Sequence, residues 1–342
     1  MRLLVLLAVL TLATAGSANA DPAVPVPLCT VTDQRLEELS GLASDGDRLY
    51  AINDSDNGGI AIQVVGRDCE IQDTITAQVN PFDVEDLALG PNGNLWLADT
   101  GDNNKSRETV AVHVVSQTGD AQLFRLAYPD GKHDAEALLL DSRGTPYIVT
   151  KETLGSALVY RPTAPLSADA TVPMEQVGKV SIAGTDTPGG PLKSSVVTRV
   201  VTGGAVSHDG KVIALRTYTD AYLFPVPDGD FVKALDSDPV RIPLPNEEQG
   251  EAITFDPDGT LLSASEFGKA TSSTITTVTG AAALAAPPPP ITTTAPPPAP
   301  TGDASAAPTV TTEKTAPWPT IGIGTAALVL IAAFVRRSRR RA

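Results

Sequence analysis

The stretch Asp86-Leu87-Ala88-Leu89, a turn carrying Asn92-Gly93, and Leu95-Trp96-Leu97-Ala98 decides the fold. Two apolar runs of strand length flank an Asn-Gly dipeptide, which supplies the positive φ angles that a tight hairpin turn requires. The pattern recurs four more times. Gly41-Leu42-Ala43 turns at Asp45-Gly46 into Leu49-Tyr50-Ala51-Ile52, and Ala137-Leu138-Leu139-Leu140 turns at Arg143-Gly144 into Tyr147-Ile148-Val149. Gly204-Ala205-Val206 turns at Asp209-Gly210 into Val212-Ile213-Ala214-Leu215, and Ala252-Ile253-Thr254-Phe255 turns at Asp258-Gly259 into Leu261-Leu262.

The turn glycines at 46, 93, 144, 210 and 259 are spaced by 47, 51, 66 and 49 residues. A hairpin repeated every 40 to 50 residues or so is the pattern of a β-propeller, whose blades bury their faces only against neighbouring blades. A β-sandwich would leave the register of the repeat unexplained. The expected fold is therefore all-β, a single propeller over residues 21–279. Six blades are expected, one of them hidden in the wide gap after Gly144, with five as the alternative. The run Val26 to Val31 is expected to close the ring against the last blade.

Outside this region the composition changes. Arg2, an apolar run from Leu3 to Ala13 and Ala18-Asn19-Ala20 read as a signal peptide over residues 1–20. Residues 280–317 are rich in Pro, Thr and Ala and read as a disordered, extended stalk. Residues 318–335 follow, with Trp318 at the start and an uncharged run from Ile321 to Val335, and then five Arg within residues 336–342. About 17 apolar residues span roughly 25 Å as a helix, enough for one membrane crossing, and the Arg cluster fixes its end as a cytoplasmic tail. The expectation is an extracytoplasmic protein anchored in the cell membrane.

Of 25 Lys and Arg, one lies in the signal and five in the tail, leaving 19 against 40 acids in the part between, a net of −21. Such acidity disfavours nucleic acid and favours cationic ligands. Cys29 and Cys69 are the only cysteines. In an exported protein they are expected to form one disulfide.

Propeller geometry turns the repeat into a map. Residues just before the first strand and just after the second of each blade gather at one mouth, opposite the hairpin turns. Eight positions before the turn glycine stand Glu85, Glu136, Thr202 and Glu251, with Ser40 in the shorter first repeat. After the second strands come Asp99, Lys151, Arg216 and Glu266. Two readings of the Glu row stay open: joints between blades that repeat because each blade needs one, and a site for a hard cation such as Ca²⁺. Asp54-Ser55-Asp56-Asn57-Gly58-Gly59 resembles a calcium loop but lacks the acid an EF-hand needs seven residues past Gly58. Nucleophilic catalysis has little support, since no G-x-S-x-G elbow occurs and His113, His133 and His208 have no evident Ser partner.

Four segments carry a family resemblance: Phe82-Asp83-Val84-Glu85-Asp86-Leu87-Ala88, Leu95 to Asn104 with Arg107, Asp134-Ala135-Glu136-Ala137-Leu138, and Gln249-Gly250-Glu251-Ala252-Ile253. Over about residues 28 to 270 the chain resembles secreted actinobacterial propellers. These are similar to the "esterase-like activity of phytase" domain and, more distantly, to calcium-dependent lactonases of the gluconolactonase type. The resemblance implies a divalent cation held by Glu85, Asp99, Glu136 and Glu251, although Ser40 and Thr202 stand where two repeats would need Glu.

Two functions follow as expectations. The first is a monomeric surface module whose acidic mouth binds a small molecule or a cell-envelope partner. The second is a Ca²⁺-dependent hydrolase of phosphate esters or lactones, with Glu85 as base and Arg216 or Lys151 holding the substrate's negative charge.

Overall fold

The computed structural model describes residues 24–54 and 58–285. The signal, anchor and tail lie outside them, as does the stalk beyond residue 285. Among the described residues no helix is long and apolar enough to cross a membrane.

Strand β1 (Val26–Val31) is followed by a first blade, β2 (Leu39–Ser44), β3 (Leu49–Asn53), β4 (Ile60–Val65) and β5 (Ile71–Ala77). The second blade is β6 (Val84–Leu89), β7 (Leu95–Asp99), β8 (Val110–Val115) and β9 (Ala121–Ala127). The third is β10 (Ala135–Leu140), β11 (Pro146–Thr150), β12 (Ala157–Pro162) and β13 (Val172–Val180). Next come β14 (Val201–Val206), β15 (Val212–Thr217), β16 (Asp220–Pro225) and β17 (Val240–Pro243), and finally β18 (Gln249–Phe255), β19 (Leu261–Glu266) and β20 (Ser273–Val278). Every blade is an antiparallel meander.

The ring closes because β1 adds to the last blade from outside, in the order β1-β20-β19-β18. A blade has two apolar faces and buries them only against neighbours, so each junction should own a core. Among the described residues each of the five junctions has one: blades one and two share Ile62 and Leu97, two and three Val112 and Leu138, three and four Leu139 and Ile213, four and five Leu223 and Phe255. Leu42 and Leu262 belong to the fifth, which joins the last blade to the first. The arrangement is that of a propeller with five blades, which corrects the expected six.

The wide gap after Gly144 is filled by other means. Strand β13 runs for nine residues, and the chain from 181 to 200 forms a loop rather than a sheet. Asp220 latches that loop: its carboxylate accepts Thr185 Oγ1 and Thr187 Oγ1, both at 2.8 Å, while Gly190 N–H donates to Glu247 O at 2.8 Å.

The five turn glycines all have φ between 70° and 98°, a region that costs other residues strain. Gly259, on that turn face, lies against Ala282 of the short helix Ala281–Ala285, within the segment expected to begin the stalk. Cys29 and Cys69 form the expected disulfide, clipping β1 to the turn between β4 and β5.

Candidate metal centre at the mouth

The innermost strands share one irregularity. In β2, β6, β10 and β14 the register slips between the residues flanking Ser40, Glu85, Glu136 and Thr202, and in β18 it slips between Gly250 and Ile253, a span that holds Glu251. A β-bulge re-aims a side chain that strict alternation would have sent into a blade face. One bulge per blade therefore explains why these five positions form a class.

The class divides by chemistry. Ser40 Oγ donates to Glu85 O at 2.7 Å and Thr202 Oγ1 to Gly250 O at 2.8 Å, each reaching the next blade. These two are joints. Glu85 and Glu136 instead come together with Asp134, their carboxylate oxygens within 4.8 Å of one another. All three are buried, at 3%, 2% and 6% exposure.

Burial raises the pKa of Glu85 well above the carboxylate range, helped by the charges of Glu136, Asp83 and Asp134. Glu136 is pushed up by burial too, against the opposing charge of Lys151, with which it forms an ion pair. Lys151 lies over the Tyr218 ring at 5.6 Å. Only one Glu136 oxygen is engaged there. The other, Oε2, is buried without a hydrogen-bond partner, a costly condition for a carboxylate oxygen. Three hard oxygen donors with one orphaned fit a cation of the Ca²⁺ class.

The remaining site candidates are held differently. Asp99 accepts N–H groups of Phe82 (3.1 Å) and Asp83 (3.0 Å), His113 Nε2 (3.0 Å) and Arg107 Nη2 (2.9 Å). Burial acts to raise its pKa, but the His113 hydrogen bond and the Arg107 charge hold it below the usual range. Glu251 hydrogen-bonds Glu266 and accepts Gln249 Nε2 at 3.3 Å, and burial followed by the Glu266 charge raises its pKa. Arg216 is fully buried and holds Glu247, Ser263 Oγ and Ala252 O, and a side chain at Gly250 would strike its guanidinium.

Two important carboxylates are not among the residues expected from sequence. Asp134 joins Glu85 and Glu136, and it also accepts Asp102 N–H at 2.7 Å. Its signal was the doubled D-x-E of Asp83-Val84-Glu85 and Asp134-Ala135-Glu136, two acids on one side of a strand start in consecutive blades. Asp86 is fully buried on the ring axis and accepts Leu138 N–H at 2.7 Å and Gly204 N–H at 3.1 Å, serving blades three and four at once.

No family model matches the chain, and no curated protein matches it. Among solved structures it is similar to a streptogramin B lyase, with 12% identity, a TM-score of 0.33, and coverage of 70% of this chain and 64% of that one. A catalytically inactive virginiamycin B lyase from Staphylococcus aureus with quinupristin gives 12%, 0.34, 70% and 66%. A structural-genomics gluconolactonase candidate gives 14%, 0.40, 72% and 76%. The chain thus spans just under two thirds of the two lyases, and likeness at this level says nothing about chemistry.

Proposed function

We propose that the chain is an exported, membrane-tethered propeller acting at the cell surface as a binding module, with Ca²⁺ held at its mouth to engage a small molecule or a cell-envelope partner. The observation that carries this reading is the buried set Glu85, Asp134 and Glu136 with the orphaned Oε2 of Glu136. A bound cation would offset the carboxylate charge that burial opposes and present a positive centre to ligand oxygens.

Binding is favoured over hydrolysis of phosphate esters or lactones by the state of the two cationic side chains expected to hold an anionic substrate. Arg216 is fully buried and held by Glu247 and Ser263, and Lys151 is paired with Glu136. Neither is left to grip a substrate.

Calorimetric titration of the full chain with Ca²⁺ tests the proposal. One site is expected, weakened at least about tenfold in Glu85→Gln and Glu136→Gln and unchanged in Glu70→Gln, an exposed acid. Absence of binding heat, with no thermal stabilisation by Ca²⁺, would sink the reading. Metal-dependent turnover of an ester or lactone, lost in the same variants, would move it to the hydrolase.

A further inference from the structure

A cavity of about 260 Å³ opens between the first two blades, and it shares Asp99 with the mouth but none of Glu85, Asp134 and Glu136. Its position follows from the register of the second blade. Asp99 of β7, Ala111 of β8 and Arg125 of β9 form one cross-strand row, with Leu97, His113 and Leu123 in the next. Ala111 is the small member of its row, so a gap remains between Asp99 and Arg125. The segment Val79 to Phe82, which carries the chain from blade one to blade two, forms the opposite wall.

The polar groups in this gap favour an anion. Arg107 is held rigidly, with Nη2 on Asp99 at 2.9 Å and Nη1 on Gly101 O at 2.9 Å, and its positive charge is matched by Asp99. Arg125 is exposed and has no ion pair among the described residues, so it is the surplus charge. His113 is 1% exposed, with Nε2 turned to Asp99 and Nδ1 buried without a partner. The apolar part is supplied by Phe82, which is 58% exposed with the Arg107 guanidinium 4.6 Å from its ring centroid. The exposed Phe82 ring thus lies beside an unpaired cationic side chain, and the buried Nδ1 of His113 lacks the hydrogen-bond partner that burial calls for.

We propose that this groove is a second ligand site, distinct from the Glu85, Asp134 and Glu136 set, that takes a small organic anion with a flat apolar body: the carboxylate toward Arg125, the flat part against Phe82. A guanidinium recognises a carboxylate through paired N–H donors. Locally positive lining in so acidic a chain also makes capture of an anion depend on salt.

Benzoate is the probe, with benzamide as its uncharged counterpart, titrated by saturation-transfer NMR and calorimetry into the full chain in EDTA. Saturable benzoate binding is expected, about fivefold or more tighter than benzamide. Arg125→Gln should remove that preference, Ala111→Leu should fill the floor and abolish binding of both, and Glu136→Gln at the mouth should change neither. Failure of the wild-type chain to bind benzoate, or benzoate binding unaltered by Arg125→Gln, overturns the proposal. Arg125 is exposed, so its variant decides the matter even if Ala111→Leu does not fold. Loss of benzoate binding in Glu136→Gln with retention in Arg125→Gln would place the probe at the mouth and likewise overturn it.

Discussion

The Asp86 carboxylate of the second blade accepts the backbone N–H of Gly204 in the fourth, 3.1 Å away and 118 residues along the chain. With Leu138 N–H on the same oxygen and Leu87 N–H on the other, one side chain satisfies donors of three blades at the axis. Asp86→Ala would leave buried N–H groups unpaired, at roughly 1–3 kcal/mol each. We expect a loss of about 3–5 kcal/mol, measured as a lower urea midpoint with the slope unchanged. A loss below about 1 kcal/mol would show that water or a shifted backbone replaces the carboxylate.

The disulfide clips the closing strand to the first blade across a sequence separation of 40. In the chain-entropy picture a loop of that length is worth about 4 kcal/mol. Reduction, or Cys69→Ser, should therefore lower the melting temperature by about 10 °C for a domain of this size. Scanning calorimetry with and without reductant checks it, and a change under about 3 °C would mean that β1 pairing alone holds the ring.

Burial, followed by the charge of Asp54, pushes the Glu266 pKa up to about 8, far above its ordinary 4.5. Between those pH values the folded chain keeps a proton that the unfolded chain has released. Stability from this group is therefore full below the unfolded value and is lost as pH rises toward 8. In EDTA the urea midpoint should fall from pH 5.5 to pH 8.5, and the fall should shrink in Glu266→Gln. Parallel profiles for the two proteins would remove Glu266 as the cause.

Gly101 lies against the Glu85 and Asp83 carboxylates, where a Cβ would collide with both. Gly101→Ala should displace Glu85 and weaken Ca²⁺ at least about tenfold. The urea midpoint of the metal-free protein should move far less than in Asp86→Ala. Undiminished Ca²⁺ affinity would exclude Glu85 from the cation's donors.

The hairpins were legible because a tight turn needs a residue tolerant of positive φ, and all five turn glycines sit where the repeat puts them. Closure by Val26 to Val31 and the Cys29 pairing were legible as well, since each needed only topology and compartment. The blade count was not: the gap between Gly144 and Gly210 is long enough for another blade, and nothing local reveals a nine-residue β13 followed by a loop fastened through Asp220. At the mouth, the repeat identified Ser40, Glu85, Glu136, Thr202 and Glu251 as one class. It could not separate joints from cation donors, because that depends on where each bulge aims the side chain. Arg216 illustrates the same limit, since its burial is set by Glu247 and Ser263, which approach from the following blade.

Strand β1 begins where β20 ends, Val26 facing Thr277, on the turn face and away from the mouth. A pull between the two ends of the propeller would thus open the pair like a zipper, one hydrogen bond at a time, instead of shearing it. Cys29 faces Ile275, close to that starting edge. The clip to Cys69 stops the opening almost as soon as it begins and passes the load into the first blade, so the same covalent bond that closes the ring also serves as its mechanical latch.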